Sequence, residues 1–413
     1  MIIKRLSLAN FRGFRQTEID FQPGVNVIAG VNGVGKSSVL DAICVLLSHA
    51  IRELTPSRSK YIRLRSGDLR LGASSIDLSI EFTLRDHAYE YLIHENSKQD
   101  LLTKNEGSYQ TRLTDRYQLV QGKNVSWIDD SIQPLALFFS PSRSVIKAAL
   151  RSGQPISGIL AVHDAALEDR RLDLVAIVRW WLNQSALGAE GDGEVYRGWT
   201  NALVTALSQF IPEFSTVTPK NADQPGLEIT KGDTVLDIWQ LSDGEKGMLA
   251  LVLEISRRLA LANPWSENPI CEGAAVILID EVDLHLHPKW QREIITRLKR
   301  TFPNCQFILT THSPLILGEV RAEQIILLDS DGTVYRPNQS LGMDTNFVLE
   351  FIMGTSPRDE KTQATLNDIA ELIESEKYED AESLIDQARE SLGTFPELVR
   401  LQTRIDRIRL LSE

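Results

Sequence analysis

With 413 residues, 42% hydrophobic and 24% charged, the chain has the size and composition of one large or two ordinary globular domains, which excludes wholesale disorder. No apolar run approaches the ~18 residues of a membrane-spanning helix. A formal net charge of -12 excludes a generic polyanion binder. The opening stretch is broken by Arg5 and Asn10 too early for a secretory core. Cys44, Cys271 and Cys305 are too few and too scattered for a disulfide framework, so a reducing cytoplasm is expected.

In chain order, alternation predicts strands at Ile2–Leu8 and Thr17–Phe21. A short apolar run predicts a buried strand at Val25–Ala29, and helical spacing follows over Ser37–His49. Between Arg52 and Arg70, six basic residues (Arg52, Arg58, Lys60, Arg63, Arg65 and Arg70) stand against Glu53 and Asp68. That stretch is either a solvated face or a surface that meets the phosphates of DNA. Residues 60–140 read as antiparallel β, with Ser75–Thr83 and Glu90–His94 as a hairpin and Leu135–Phe139 as a buried strand. Residues 143–212 read as helical. After them come a hairpin, a helix near Gly244–Ala262, the strand Ala275–Asp280, the helix Lys289–Phe302, the strand Gln306–Thr310 and a last strand pair. The tail is predicted as three helices at about 363–375, 378–391 and 396–411, with fourteen acidic and eight basic residues from Ser356 onward.

The chemistry starts where the third strand ends. Gly30-Val31-Asn32-Gly33-Val34-Gly35-Lys36-Ser37 matches the phosphate-loop pattern at each fixed position, between a strand and a helix, with Ser38 next. Glycines let the backbone N–H groups wrap a phosphate at a helix N-terminus. Lys36 would bridge the β- and γ-phosphates of ATP, and the Ser37 hydroxyl would hold Mg2+. The apolar strand before Asp280-Glu281 ends in two carboxylates, Asp280 suited to Mg2+ and Glu281 to polarising the attacking water. Leu241-Ser242-Asp243-Gly244-Glu245 opens an apolar helix, whose N-terminus could donate to a γ-phosphate or simply be capped. Thr310-Thr311-His312-Ser313-Pro314 closes a strand with a histidine. His285 and His287 form a His-x-His pair for which packing is expected over metal binding.

These ordered motifs, with Asn10-Phe11-Arg12-Gly13-Phe14, resemble the ABC-type ATPases of the RecF, Rad50, SMC and OLD group over most of residues 1–335. The resemblance implies an α/β head with an antiparallel β lobe, a helical insert and a C-terminal helical extension. It implies that Arg12 contacts nucleotide and that Ser242, Gly244 and Glu245 act in trans on ATP bound by a second copy. Asp283 would belong to the loop crossing that interface, and His312 would sense the γ-phosphate. In the place of the family's Q-loop stands Ser140-Pro141-Ser142-Arg143, with Arg143 as the substitute. The expected divisions are 1–142 and 225–340 as the two ATPase lobes, 143–224 as the insert and 341–413 as a docking or oligomerisation segment.

Absences choose among relatives. No sustained heptads separate Ser38 from Leu241, so no long coiled coil is expected. Asp329-Ser330-Asp331-Gly332 reads as a hairpin turn rather than a nuclease Asp-x-Asp. Trp180-Trp181, the stretch Ile255–Pro264, the run His287–Gln291 and the final helical hairpin resemble the ATPase subunit of bacterial Septu-type anti-phage systems, with relatives in retron-linked systems. That resemblance implies a homo-oligomeric ATPase controlling a separate HNH-type nuclease. A RecF-like repair ATPase that binds DNA without a nuclease partner, and an oligomer that binds ATP but rarely hydrolyses it, are the alternatives.

Overall fold

A computed structural model describes residues 1–55, 60–85, 87–96, 109–115, 134–144, 161–169, 172–189, 194–220, 225–264 and 266–412. They form two units, Met1–Met343 and Asp344–Glu413.

The first unit opens with strands β1 (Ile2–Phe11), β2 (Phe14–Asp20) and β3 (Val25–Ala29) and helix α1 (Lys36–Leu54). Strands β4 (Ser75–Leu84), β5 (His87–Asn96), β6 (Tyr109–Asp115) and β7 (Leu135–Phe139) follow, then helices α2 (Leu174–Ala189) and α3 (Glu194–Phe210). Next come β8 (Thr216–Lys220), β9 (Gly226–Lys231), β10 (Thr234–Asp237), α4 (Asp243–Ala262) and the short α5 (Pro269–Glu272). The unit closes with β11 (Ala275–Ile279), α6 (Pro288–Thr301), β12 (Gln306–Thr310), α7 (Pro314–Leu317), β13 (Ile325–Leu328) and β14 (Val334–Tyr335).

Among the described residues the strands form three sheets. β3, β11 and β12 are five-residue strands buried at every position. Such two-sided burial is what a parallel sheet covered on both faces requires. They lie in a six-stranded sheet of order β14-β13-β3-β12-β11-β7, parallel except for the β13–β14 hairpin. β4 alternates buried and half-buried residues along its whole length, the pattern of an antiparallel strand with one covered face. It sits centrally in the sheet β2-β1-β4-β5-β6. The apolar face of α1 joins these two sheets in one core, with Leu40, Ile43 and Leu47 packed among Leu6, Ile80, Tyr91 and Ile308. Gln306 adds a polar tie, accepting from the Ile3 N–H at 2.7 Å and donating to the Ile3 carbonyl at 2.9 Å. Strands β8 to β10 form a small sheet of their own.

The second unit contains α8 (Thr345–Phe347), α9 (Glu360–Glu374), α10 (Tyr378–Leu392) and α11 (Pro396–Ser412). Its core is built from Leu366, Ile369, Ile373, Ala381, Ile385, Ala388, Leu398 and Ile405. α9 starts three residues before the predicted position because Asp359 caps it, accepting from the Thr362 N–H at 3.0 Å. α1 runs on past His49, where Ile51 and Leu54 continue the buried stripe. Among the described residues no coiled-coil arm is present and no helix is long and apolar enough to cross a membrane.

Candidate functional site

The parallel register decides where the motifs meet. Ile28 pairs with Thr310, Val27 with Leu309, and Leu309 with Ile279, so β3, β12 and β11 end at one edge of the sheet. The residues that follow, Gly30, Thr311 and Asp280, therefore share that edge. In open α/β sheets the carboxyl ends of the strands are where ligands bind.

The phosphate loop is shaped by two crowded glycines. Gly30 and Gly35 take φ values of 151° and 105°. A Cβ on Gly30 would lie 2.5 Å from the Leu328 carbonyl oxygen, and one on Gly35 would lie 2.7 Å from the Phe14 ring. No larger residue fits either place. Asn32, Gly33 and Ser37 face outward, while Val34 packs against the core. Lys36 is buried, and its ammonium donates to the carbonyls of Gly30 at 3.0 Å and Val31 at 2.9 Å. Burial lowers its pKa against Asp280, Glu281 and Asp283, all close enough to raise it. One cation and three carboxylates thus converge.

Arg12 stands beside the start of α1, in the left-handed backbone region at φ 49°. It donates to Asp41 at 2.5 Å, Asp68 at 2.9 Å and the Ser38 hydroxyl at 3.2 Å. Burial opposes its charge, yet Asp41 and Asp68 hold its pKa above the ordinary arginine value.

The acidic segment is held by two threonine hydroxyls. The Thr310 hydroxyl donates to one oxygen of Asp280 at 2.5 Å and accepts from the Glu281 N–H at 2.7 Å. Glu281 is in the left-handed region at φ 48°, which costs a non-glycine residue about 1 kcal/mol. The Thr311 hydroxyl donates to Asp283 at 2.5 Å and accepts from the Ser313 N–H at 2.9 Å. His312, between them, is half-buried. Burial, and next the Lys36 charge, lowers its pKa below the usual histidine value, while Asp283, Glu281 and Asp280 act the other way.

The Ser242 segment forms a full cap on α4. The Ser242 hydroxyl accepts from the Glu245 N–H at 3.3 Å, and the Glu245 carboxylate accepts from the Ser242 N–H at 3.0 Å. Lys231 donates to Glu245 at 2.6 Å. Gly244 sits against the main chain of His285. His287 caps α6, accepting from the Lys289 N–H through Nδ1 at 3.3 Å. Among the described residues no group of three or more His, Cys, Asp or Glu is placed to hold a metal. Ser37 and Asp280 offer a hydroxyl and a carboxylate, the hard oxygen donors that suit Mg2+ alongside phosphate oxygens. The arrangement can cradle a polyphosphate against Lys36 and set Glu281 and His312 beside it.

The sequence motifs contain Thr310, Thr311 and Phe14 but give none of the three a role of its own in this site. The signal for the two threonines was their place immediately before His312; for Phe14 it was its place at the end of the Asn10–Phe14 motif. In the basic stretch, Arg52 and Arg63 stack on Tyr61 with guanidinium carbons 5.1 and 5.4 Å from the ring centroid. Glu53 accepts from the Tyr91 hydroxyl at 2.8 Å, and Asp68 is buried against Arg12. Both acids of the stretch thus have internal partners; Arg58 lies outside the described residues.

The family model described as AAA domain, putative AbiEii toxin, Type IV TA system, matches residues 25–318. The chain is 29% identical to the retron Ec83 probable ATPase of Escherichia coli, over 97% of this chain and 86% of that one. It is 28% identical to the Septu protein PtuA of Bacillus mycoides, over 85% of this chain but only 44% of that longer protein. It is 25% identical to the DNA replication and repair protein RecF of Heliobacterium modesticaldum, over 77% and 95% respectively.

Proposed function

Since the chain belongs to that AAA family, as an ABC-type P-loop ATPase of the RecF, Rad50 and SMC kind, we propose that it binds and hydrolyses ATP as the regulatory subunit of a cytoplasmic anti-phage defence complex. The observation that carries the ATPase reading is the common strand edge, where Lys36 lies within electrostatic reach of Asp280, Glu281, Asp283 and His312.

In this reading the loop residues Gly30, Asn32, Gly33, Val34, Gly35, Lys36, Ser37 and Ser38 bind the triphosphate, with Arg12 beside them. Ser37 and Asp280 would hold Mg2+, which when bound neutralises charge on the phosphates. Glu281 orients the attacking water and takes its proton, and His312 reads the γ-phosphate. Ser242, Gly244 and Glu245 of one copy close on ATP held by another, with Asp283 at the crossing. ATP then links two chains, and its loss separates them.

The defence role is supported by similarity to the Septu protein PtuA and to the retron Ec83 probable ATPase, each over most of this chain. The nuclease would be a separate HNH-type subunit, docked by the C-terminal unit, where Phe351, Leu410 and Leu411 are exposed apolar side chains. DNA would meet the Arg52–Arg70 surface, where stacked arginines and a tyrosine suit phosphates and bases.

The test is affinity capture of the tagged full chain expressed with its genomic neighbours, followed by intact mass of the complex. A stoichiometric HNH-type subunit, lost on deletion of residues after Pro357, supports both the partner and its docking segment. A homo-oligomer alone whose ATP turnover is stimulated by DNA would replace this reading with a RecF-like repair ATPase, which the 25% identity to RecF keeps in play.

A further inference from the structure

We infer that Arg143 and Thr310 are positioning residues that fix the main chain around Glu281, an inference that rests on the proposed role of Glu281 in ATP hydrolysis.

Arg143 follows β7 and is 5% exposed; Thr310 ends β12 and is fully buried. Between them they hold both peptide groups that flank Glu281. The Arg143 guanidinium donates to the Asp280 carbonyl at 2.5 Å and, through its other terminal nitrogen, to the Glu281 carbonyl at 2.5 Å. It also reaches the Ser140 carbonyl at 3.1 Å, stapling the end of β7 to the end of β11. From the opposite side, the Thr310 hydroxyl accepts from the Glu281 N–H and donates to the Asp280 carboxylate. The Thr310 carbonyl accepts from the Val282 N–H at 2.9 Å. Three successive residues, Asp280 to Val282, are therefore pinned, with the middle one in a left-handed conformation at φ 48°.

The residue types fit this task. A planar fork of donors spans two neighbouring carbonyls, which a single ammonium cannot do in the same geometry. A hydroxyl both donates and accepts, which valine of the same shape cannot do. A buried cation is costly where packing alone is needed. Here the buried guanidinium is given over to main-chain carbonyls of Ser140, Asp280 and Glu281. The strand register makes the pairing possible, because β7 and β12 flank β11 on either side.

The experiment uses the full chain and measures kcat for ATP together with Kd for a non-hydrolysable ATP analogue. The variants are Arg143→Lys, Thr310→Val and Thr310→Ser. Arg143→Lys and Thr310→Val are expected to lower kcat by ~10-fold or more, the scale seen when groups supporting a reactive ligand are removed, with Kd within ~3-fold of the parent. Thr310→Ser, which keeps the hydroxyl, is expected to retain kcat within ~3-fold. Losses of kcat and analogue binding in equal measure, or valine and serine behaving alike, would overturn the inference. If Arg143→Lys does not fold, the valine and serine pair at 310 decides it. Failure of the premise reads out separately, as parent-like turnover in Glu281→Gln, and removes the inference with it.

Discussion

A Cβ placed on Gly244 would lie 2.4 Å from the carbonyl oxygen of His285. The start of α4 and the segment after Asp283 therefore meet backbone to backbone, and a shift in one moves the other. This contact ties the segment proposed to reach a second chain's nucleotide to the loop proposed to cross between chains.

Gly244→Ala forces those two segments apart. Overpacking of this kind costs roughly 1–3 kcal/mol. The variant should melt lower in a thermal unfolding experiment and should lose ATP-dependent association, measured by light scattering. An alanine variant that associates normally would detach the contact from assembly.

Lys36 contributes charge-assisted hydrogen bonds in a buried setting, worth about 1.5–3 kcal/mol each when made to a charged group. Lys36→Ala should weaken ATP binding by at least ~10-fold in a titration with fluorescent nucleotide. Its fold should survive, because Val31, one of the two residues whose carbonyls it now serves, is exposed and its carbonyl can turn to water. Unchanged affinity would move the nucleotide elsewhere.

His163 sets an acid limit on stability. It is buried, and that burial, with the nearby Arg258 charge, lowers its pKa to about 4. A histidine whose folded pKa lies below the unfolded ~6.5 leaves the unfolded chain binding more protons between those values. Stability is then full above ~6.5 and falls as pH drops toward 4, by roughly 3 kcal/mol for this group. His163→Leu should flatten that acid limb in denaturant midpoints measured from pH 7 to 4.5. The parent slope persisting in the variant would assign it to other groups.

Much of this was legible because local pattern and function coincide. Val25–Ala29, Ala275–Ile279 and Gln306–Thr310 are apolar runs with motif residues at their ends, and the structure keeps them as strands of one sheet. What escaped depends on distant contacts. Arg143 meets Asp280 across 137 residues of sequence, and Phe14 closes against Gly35 only once β2 and α1 are packed. Thr310 looked like one more β-branched strand residue; its hydroxyl acquires meaning from the end of β11 lying beside it. The strand β8 was missed because Thr216–Lys220 is mostly polar and carries a proline.

The basic surface makes a salt-dependent expectation. Arg63→Glu with Arg65→Glu should weaken DNA binding and reduce the slope of log affinity against log salt by about one for each phosphate no longer neutralised. Equal affinity and equal slope would leave the stretch as a solvated face.

The most direct measurement is steady-state ATP turnover of the parent chain and Glu281→Gln, with oligomeric state followed in the same samples. The substitution removes the base while keeping the size and polarity of the side chain. Turnover in the parent, at least ~100-fold slower in the variant with ATP-bound assemblies accumulating, is the expected result. Equal turnover in both, or none in either, would contradict the assignment of this strand edge as the hydrolytic site.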